Sequence, residues 1–449
     1  MQFDVGINEG IIISGHNGYK PLEASIGIKD GKIACIGIER ITKDNAKKVI
    51  SAKDKIIMPG LYNCHCHGDM TLARGLGDDM TLLEQIEEFK TSNWFYKFIS
   101  DEDRILSRKL TYAEAILSGC VFIVENMYWG LEERSIEPMV EVGIKGALVE
   151  DIRYDFAKPD KFLEDQDLLN FKHRCIENGI IPIIGNISEE DFEAERLNKA
   201  VEKINRIGVY ETRHLAENTW RVDMVMDKFN TTPVRYLEKT KALHNKMIGS
   251  HGIYISEDEI EIMAKRGVSV ASTPLCEMKI SDGIAPIPLF LKHGVNVCLG
   301  TDGAMWNNSN DIFREMKGMV LLHNISSGIR AITAKNALDM ATINGAKAFG
   351  LNNERGTIEE GKFADIILID TKKPHLRPIR KTHMENIAST IVYNATGSDV
   401  TDVMIEGRHL VKDRKLTTID VDSLMEEMDK ISERVGEAYE QSREVNKTK

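Results

Sequence analysis

Apolar and polar positions along the chain follow two different periods. Near the N-terminus, residues 24–28 and 32–38 are strand-length apolar stretches around the turn pair Asp30-Gly31, which predicts a hairpin. Toward the other end, Gly361-Lys362-Phe363-Ala364-Asp365 leads into the apolar run 366–369, and residues 400–405 form another run before a turn at Glu406-Gly407. Neither end holds enough strand to bury a stable core alone. The two ends are therefore expected to pair into one small domain. Residues 422–440 carry Leu424, Met428, Ile431 and Val435 at helical spacing among many charges, which predicts an amphipathic helix lying on a surface.

Between the ends, apolar runs at 61–66, 121–124, 145–149, 180–184, 208–212, 247–250, 268–271 and 295–300 alternate with longer stretches of helical period. Strand and helix in alternation predict a parallel sheet, and eight such units predict a closed barrel. The expected fold is α/β: a (β/α)8 TIM-like barrel over residues 58–355. Beside it, residues 1–57 and 356–449 form a small β-sandwich domain that includes the C-terminal helix. No internal sequence repeat is present.

Composition narrows the function classes. Of 449 residues, 42% are hydrophobic and 29% charged, ordinary for a globular protein with a large core. A formal net charge of −12 works against binding a polyanion. The densest basic stretch, 372–381, reads as a solvated loop, so no nucleic-acid partner is expected. The opening Met1-Gln2-Phe3-Asp4 does not resemble a secretion signal, and no run reaches the roughly 18 apolar residues of a membrane span. The expected location is cytoplasmic, without a membrane partner. Seven scattered cysteines, an odd number, suit free thiols in a reducing compartment.

Candidate chemistry begins at Cys64-His65-Cys66-His67. On a strand, His65 and His67 share one face and the cysteines the other. Two imidazoles on one face either satisfy local hydrogen bonds or bind one metal ion. Strand alternation, and the lack of a second close Cys/His cluster, argue against a zinc knuckle. His214-Leu215-Ala216-Glu217 follows the predicted strand 208–212; His-x-x-Glu alone is weak, but barrel active sites gather at the C-terminal ends of strands. His251, after 247–250, and Asp302, in Leu299-Gly300-Thr301-Asp302-Gly303, repeat that placement. Four strands thus deliver His65, His67, His214, Glu217, His251 and Asp302 to one mouth. The other histidines fall in predicted helices or loops and read as structural or exposed.

This order of motifs resembles the amidohydrolase superfamily, in the branch that holds S-adenosylhomocysteine and methylthioadenosine deaminases and the s-triazine hydrolases. The likeness spans nearly the whole chain and is most specific at 58–67, 70–75, 214–218, 248–256, 279–286 and 300–308. It implies a metal held by His65, His67, His214 and Asp302, with Glu217 and His251 beside the bound water and Glu217, His251 and Asp302 as the catalytic groups. A metal lowers the pKa of bound water from ~15.7 toward ~7. Asp302 can ligate and take a proton, His251 can hold the attacking water in line, and Glu217 can protonate a ring nitrogen and then the leaving amine. Two-metal relatives carry a bridging lysine or acid at the end of the fourth strand; here that place reads Ile184-Gly185-Asn186-Ile187-Ser188. One divalent ion is expected, zinc first, with iron or manganese as alternatives.

The pocket departs from the nucleoside deaminases. The ribose-holding glutamate of the family falls near Trp94-Phe95-Tyr96, its histidine after the fourth strand becomes Gly185-Asn186, and its His-Asn-Pro-x-Ser-Asn reads Ser272-Thr273-Pro274-Leu275-Cys276-Glu277. Substrate contacts are assigned to Trp94 and Tyr96, to Arg153 as a carboxylate binder, and to Glu277 in place of the lost acid, against packing or surface roles for the same residues. The expected partners are a small heterocyclic substrate and water, with homo-oligomerisation left open. The expected reaction is hydrolytic deamination of an aminated heterocycle. The alternatives are displacement of chloride or an alkylamine from an s-triazine-like ring, and a structural relative without catalysis.

Overall fold

The structure is a computed structural model and describes residues 2–37, 39–89, 97–126, 133–153 and 160–447. Five strands open the chain: β1 (Phe3–Ile12), β2 (Leu22–Lys29), β3 (Lys32–Gly37), β4 (Ala46–Ser51) and β5 (Lys55–Pro59). Eight more follow: β6 (Leu61–Cys66), β7 (Cys120–Asn126), β8 (Lys145–Asp151), β9 (Ile181–Gly185), β10 (Tyr210–Leu215), β11 (Met247–His251), β12 (Ser269–Ser272) and β13 (Asn296–Leu299). The last four are β14 (Ile366–Asp370), β15 (Val400–Ile405), β16 (Arg408–Lys412) and β17 (Lys415–Leu416).

The first and last groups share one mixed sheet in the order β17-β16-β15-β14-β5-β1-β2-β3, with β4 also paired to β1. Its seam is the antiparallel pair β5–β14, where Ile57 faces Leu368 and Ile56 faces Ile369. All four side chains are fully buried. Each chain end thus supplies the partner the other lacks. The ten-residue β1 is hidden from pattern reading because Gly6 and Gly10 interrupt it, and glycine weakens strand signals. The packing requires both, since a Cβ at either position would collide with Ile41 or Ile57.

Strands β6 to β13 lie side by side in chain order, all parallel, as the alternation of strand and helix predicts. The barrel is drawn shut just beyond β13. Thr301 and Asp302 donate their backbone N–H groups to the His65 carbonyl at 3.0 and 2.9 Å. Asn63 on β6 reinforces the closure: its Oδ1 accepts from Thr301 N at 3.1 Å and its Nδ2 donates to Thr301 Oγ1 at 2.7 Å. Gly300 permits this approach, because a Cβ there would stand 2.7 Å from His65 Cβ and 2.8 Å from its backbone N and O. Two boundaries differ from the pattern reading. β10 continues through Leu215, which pairs with His251, so His214 lies within the strand. β13 ends at Leu299, leaving 300–302 to make the closure.

The helix Val421–Lys447 buries Leu424, Met428, Ile431 and Val435 against Met70, Ala73, Ile99 and Met305. It therefore braces the segments that leave β6 and β13. Among the described residues, no helix is long and apolar enough to cross a membrane.

Gly300→Ala is expected to destabilise the protein by about 1–3 kcal/mol, the usual cost of overpacking, because the added methyl pushes the His65 backbone outward. Urea unfolding and metal content measured together check this. A variant with unchanged midpoint and full metal loading would show that the closure tolerates separation.

Candidate active site

The C-terminal ends of three strands and one loop bring together five side chains able to bind a metal or carry a proton. β6 presents His65 and His67, β10 presents His214, β11 ends on His251, and the loop after β13 carries Asp302. His65, His67, His251 and Asp302 are buried, and His214 is half-buried. The His65 ring lies 5.0, 5.1 and 5.2 Å, centre to centre, from the rings of His67, His214 and His251. Alternation along β6 turns Cys66 away from this centre, toward Glu125 at 3.5 Å.

The backbone is strained where the site is built. Ala216, His251 and Asp302 hold φ at +47°, +69° and +62°, left-handed conformations that cost on the order of 1–3 kcal/mol each in non-glycine residues. Hydrogen bonds over-determine the shape: Gly252 N to Leu215 O at 3.0 Å, Ile253 N to Ala216 O at 3.1 Å, and the two N–H groups on His65 O.

The donor set fits a metal ion. Asp302 Oδ1 stands 3.6 Å from His65 Nε2 and 3.5 Å from His67 Nε2. Two ligands on a tetrahedral ion with bonds of about 2.0–2.1 Å stand about 3.4 Å apart. His65 Nε2 is sealed from solvent without a hydrogen-bond partner among the described residues, while its Nδ1 lies 2.9 Å from Ser250 Oγ. Two overlapping groupings share His65: His65 with His67 and Asp302, and His65 with His214 and His251. Distance alone therefore brings His251 as near the centre as His214. Their electrostatic surroundings differ. Burial, followed by the charges of neighbouring imidazoles, holds His65 and His214 well below the usual histidine range. Burial also lowers His67, against the pull of Asp302. At His251 burial acts the same way, but Glu217, Asp302, Glu277 and Asp282 outweigh it and raise its affinity for a proton.

Glu217 is buried, with Oε1 3.7 Å from His251 Nε2. Its other oxygen pairs with Arg221, one helical turn on, and Arg221 also reaches Glu190 at 2.7 Å. Asn218 starts the helix Thr219–Phe229 by accepting from Arg221 N at 3.3 Å, which fixes this geometry.

The residues expected to contact substrate fall in different places. Trp94 and Tyr96 lie outside the described residues. Arg153 is buried and gives Nε and Nη2 to Asp151 at 2.9 and 2.7 Å and Nη1 to Asp191 at 3.2 Å. Glu277 sits at the Nδ1 edge of His251, 3.9 Å away, and accepts from Thr273 N at 2.9 Å. Thr273 Oγ1 itself lies 3.0 Å from that nitrogen.

Four neighbours of the site escape sequence reasoning. Cys276 Sγ lies 2.9 Å from Asp302 Oδ2. Trp306 stands edge-on to His67 at 5.4 Å, and its Nε1 is buried without an acceptor among the described residues. Asp282 shares the electrostatic surroundings of Glu217 and His251. Arg221 is the one with a readable signal, its i,i+4 spacing from Glu217.

With this geometry in place, comparison with known proteins is informative. The sequence profile of the amidohydrolase family matches residues 56–410. The chain is 35% identical over 412 residues to a 5-methylthioadenosine/S-adenosylhomocysteine deaminase of Thermococcus sibiricus, covering 90% of this chain and 92% of that one. It is 33% identical over 407 residues to a 5'-deoxyadenosine deaminase of Methanosphaera stadtmanae, covering 88% and 92%. In fold it matches a zinc-bound adenosine deaminase of Xanthomonas campestris with a TM-score of 0.86 at 23% identity, over 97% and 99% of the two chains. The motifs at the strand ends and the match along the chain agree, and this protein belongs to the amidohydrolase family.

Proposed function

We propose that this chain is a hydrolytic deaminase of an aminated heterocycle, using one divalent ion, zinc, held by His65, His67, His214 and Asp302. The observation that carries the reading is the convergence of separate strand ends on one buried centre, with Glu217 and His251 facing each other at 3.7 Å beside it. The relatives named as deaminases support the reaction type. When bound, the ion supplies the Lewis acidity that makes a water nucleophilic near neutral pH.

The remaining work belongs to side chains. Asp302 has a second oxygen, supported by Cys276 Sγ, that can take a proton. His251 is held at Nδ1 by Thr273, which leaves Nε2 toward Glu217, 3.7 Å away. Its surroundings favour a cation, whereas those of His214 favour the neutral imidazole, in keeping with ligation by His214 and the positioning of water by His251. Glu217 protonates the ring nitrogen next to the attacked carbon and then the departing amine. Arg221 fixes its other oxygen. Ammonia leaves and a carbonyl remains.

Recognition is proposed to differ from that of the nucleoside deaminases, because the stretch at Trp94-Phe95-Tyr96 holds no acid and Gly185-Asn186 stands where those relatives carry histidine.

Three outcomes are expected. Glu217→Gln lowers kcat by ~10²–10⁴-fold, the usual share of a general acid–base group, with metal content by elemental analysis unchanged; loss of the metal would make Glu217 a ligand. Elemental analysis of the wild type finds about one ion per chain, and two tightly held ions, or none after reconstitution, contradict the ligand set. In steady-state assays of ammonium release, S-adenosylhomocysteine and methylthioadenosine are poor substrates beside a ring without ribose. A kcat/KM near ~10⁵ M⁻¹s⁻¹ for either nucleoside, inside the normal enzyme range, would show that other residues bind the sugar.

A further inference from the structure

Two acids that the proposed chemistry leaves without a task, Glu189 and Glu190, stand side by side in the short helical turn Glu189–Asp191, which follows β9. Their side chains go different ways. Glu190 accepts from Arg221 Nε at 2.7 Å, and Arg221 in turn holds one oxygen of Glu217. Glu189 turns inward: it is buried, and its Oε1 accepts from the backbone N–H of Ala216 at 2.6 Å. One turn of chain thus reaches Glu217 by two routes, through a guanidinium and through the backbone.

The backbone route matters because of where Ala216 lies. It falls between the proposed ligand His214 and the acid Glu217, is fully buried and holds φ at +47°. A left-handed alanine persists only where its surroundings over-determine it. On one side they do so with backbone groups: the Leu215 carbonyl accepts from Gly252 N at 3.0 Å, and the Ala216 carbonyl accepts from Ile253 N at 3.1 Å and Tyr254 N at 3.0 Å. On the other side stands the Glu189 carboxyl. The carbonyl bonds need no particular side chain, whereas the bond to the Ala216 N–H depends on residue 189. A buried N–H left without an acceptor is costly. Loss of this carboxyl therefore favours rotation of the peptide, and Glu217 is the next residue along. The second Glu189 oxygen is sealed from solvent and accepts from no described residue. Burial pushes the carboxyl up to about 7, against the pull of Arg221. In either charge state an oxygen remains to accept from Ala216 N.

We propose that Glu189 is a positioning residue for Glu217, holding the Ala216 peptide so that the Glu217 carboxyl stays beside His251. The inference rests on the deaminase reading for its effect on rate, since that reading gives Glu217 the proton to deliver. Two constraints then set the direction of one carboxyl. Arg221 fixes an oxygen of Glu217, and Glu189 fixes the backbone from which the side chain starts. Proton delivery is sensitive to such placement, because an error of about 1 Å can cost ~10²-fold in rate. A residue of this kind acts on kcat more than on KM, as the group it directs works in the transition state. The geometry uses the acceptor oxygen and not the charge, so a neutral amide is expected to serve in its place.

The test separates positioning from a merely structural role. Zinc-loaded, full-length Glu189→Ala, Glu189→Asp and Glu189→Gln proteins are compared with the wild type, each alone and combined with Glu217→Gln. Zinc content, crystal structure and ammonium release from adenine, 2,6-diaminopurine, melamine and methylthioadenosine are measured. Glu189→Ala is expected to lower kcat ~10²-fold with KM and zinc content kept. Glu189→Asp, a methylene shorter, behaves alike, and Glu189→Gln recovers most of the rate. In the Glu217→Gln background Glu189→Ala costs nothing further, because the group it directs is already disabled. The Glu189→Ala crystal shows Ala216 rotated and Glu217 Oε1 displaced by about 1 Å or more from its place beside His251. Full activity of Glu189→Ala, an equal loss in both backgrounds, or an unmoved Glu217 overturns the assignment. So does loss of fold or of zinc in both the alanine and the aspartate variants, which would make Glu189 part of the framework alone. No ammonium from any of the four compounds with the wild type sinks the deaminase reading, and the displacement of Glu217 in the crystal then decides the positioning role by itself.

Discussion

The carbonyl oxygen of His65 accepts two backbone hydrogen bonds, from Thr301 and Asp302, and through them the first and eighth barrel strands become neighbours. Two of these residues, His65 and Asp302, are proposed ligands. One short stretch of backbone therefore closes the barrel and sets the distance between an imidazole and a carboxylate. Closure at this point leaves no room for a side chain at position 300 and forces Asp302 into a left-handed conformation. The strain is offset by the bonds it makes possible, and the geometry of the proposed metal site follows from the closure as a consequence of the fold.

Beside β6 lies a second buried polar layer. Glu125, at the end of β7, accepts from Gly68 N at 2.8 Å, just after His67, and burial pushes its carboxyl up to about 7. Arg108 stands 3.4 Å from Glu125 and 3.6 Å from Asp69, and Arg104 3.4 Å from Asp69. Such charges are costly to bury unless they are matched, and matched ones hold their neighbours in a single arrangement. Here the arrangement fixes the turn that carries the chain away from His67. The site thus has two electrostatic zones: a centre where burial holds His65, His67 and His214 toward the neutral imidazole while acids favour a proton on His251, and paired acids and arginines around it.

The fold class was legible because its two periods are strong: apolar runs of strand length separated by helical ones. What hid β1 was the glycine its packing requires. The grouping of His65, His67, His214, His251 and Asp302 was legible because β/α barrels gather strand ends at one face, so position in the pattern stood in for position in space. The surroundings were not legible in the same way. Glu277 lies four residues after Thr273, on the turn of helix that accepts its N–H, and whether such an acid faces a pocket or the edge of a histidine depends on where that turn points. Asp282 gave no signal, since the turn that holds it, with Ser281 at φ +58°, is a property of tertiary packing. Trp94 and Tyr96 lie outside the described residues, and Arg153 sits in a buried ion-pair cluster whose acids, Asp151 at the end of β8 and Asp191 in the short helical turn Glu189–Asp191, lie far apart in sequence.

The seam between β5 and β14 has a bearing on how the chain is made. β5 leaves the ribosome ahead of all eight barrel strands, and its partner edge on β14 follows only after the last of them. Until then one edge of Ile56, Ile57 and Met58 is unmatched, an apolar strand of the kind that pairs readily with other chains. Pairings this distant in sequence are slow to form, because the entropy of closing the intervening loop is lost before the contact is gained. Synthesis thus passes through an interval in which the barrel is being completed beside an open strand. The antiparallel lock of Ile56 and Ile57 onto Ile369 and Leu368 ends that exposure.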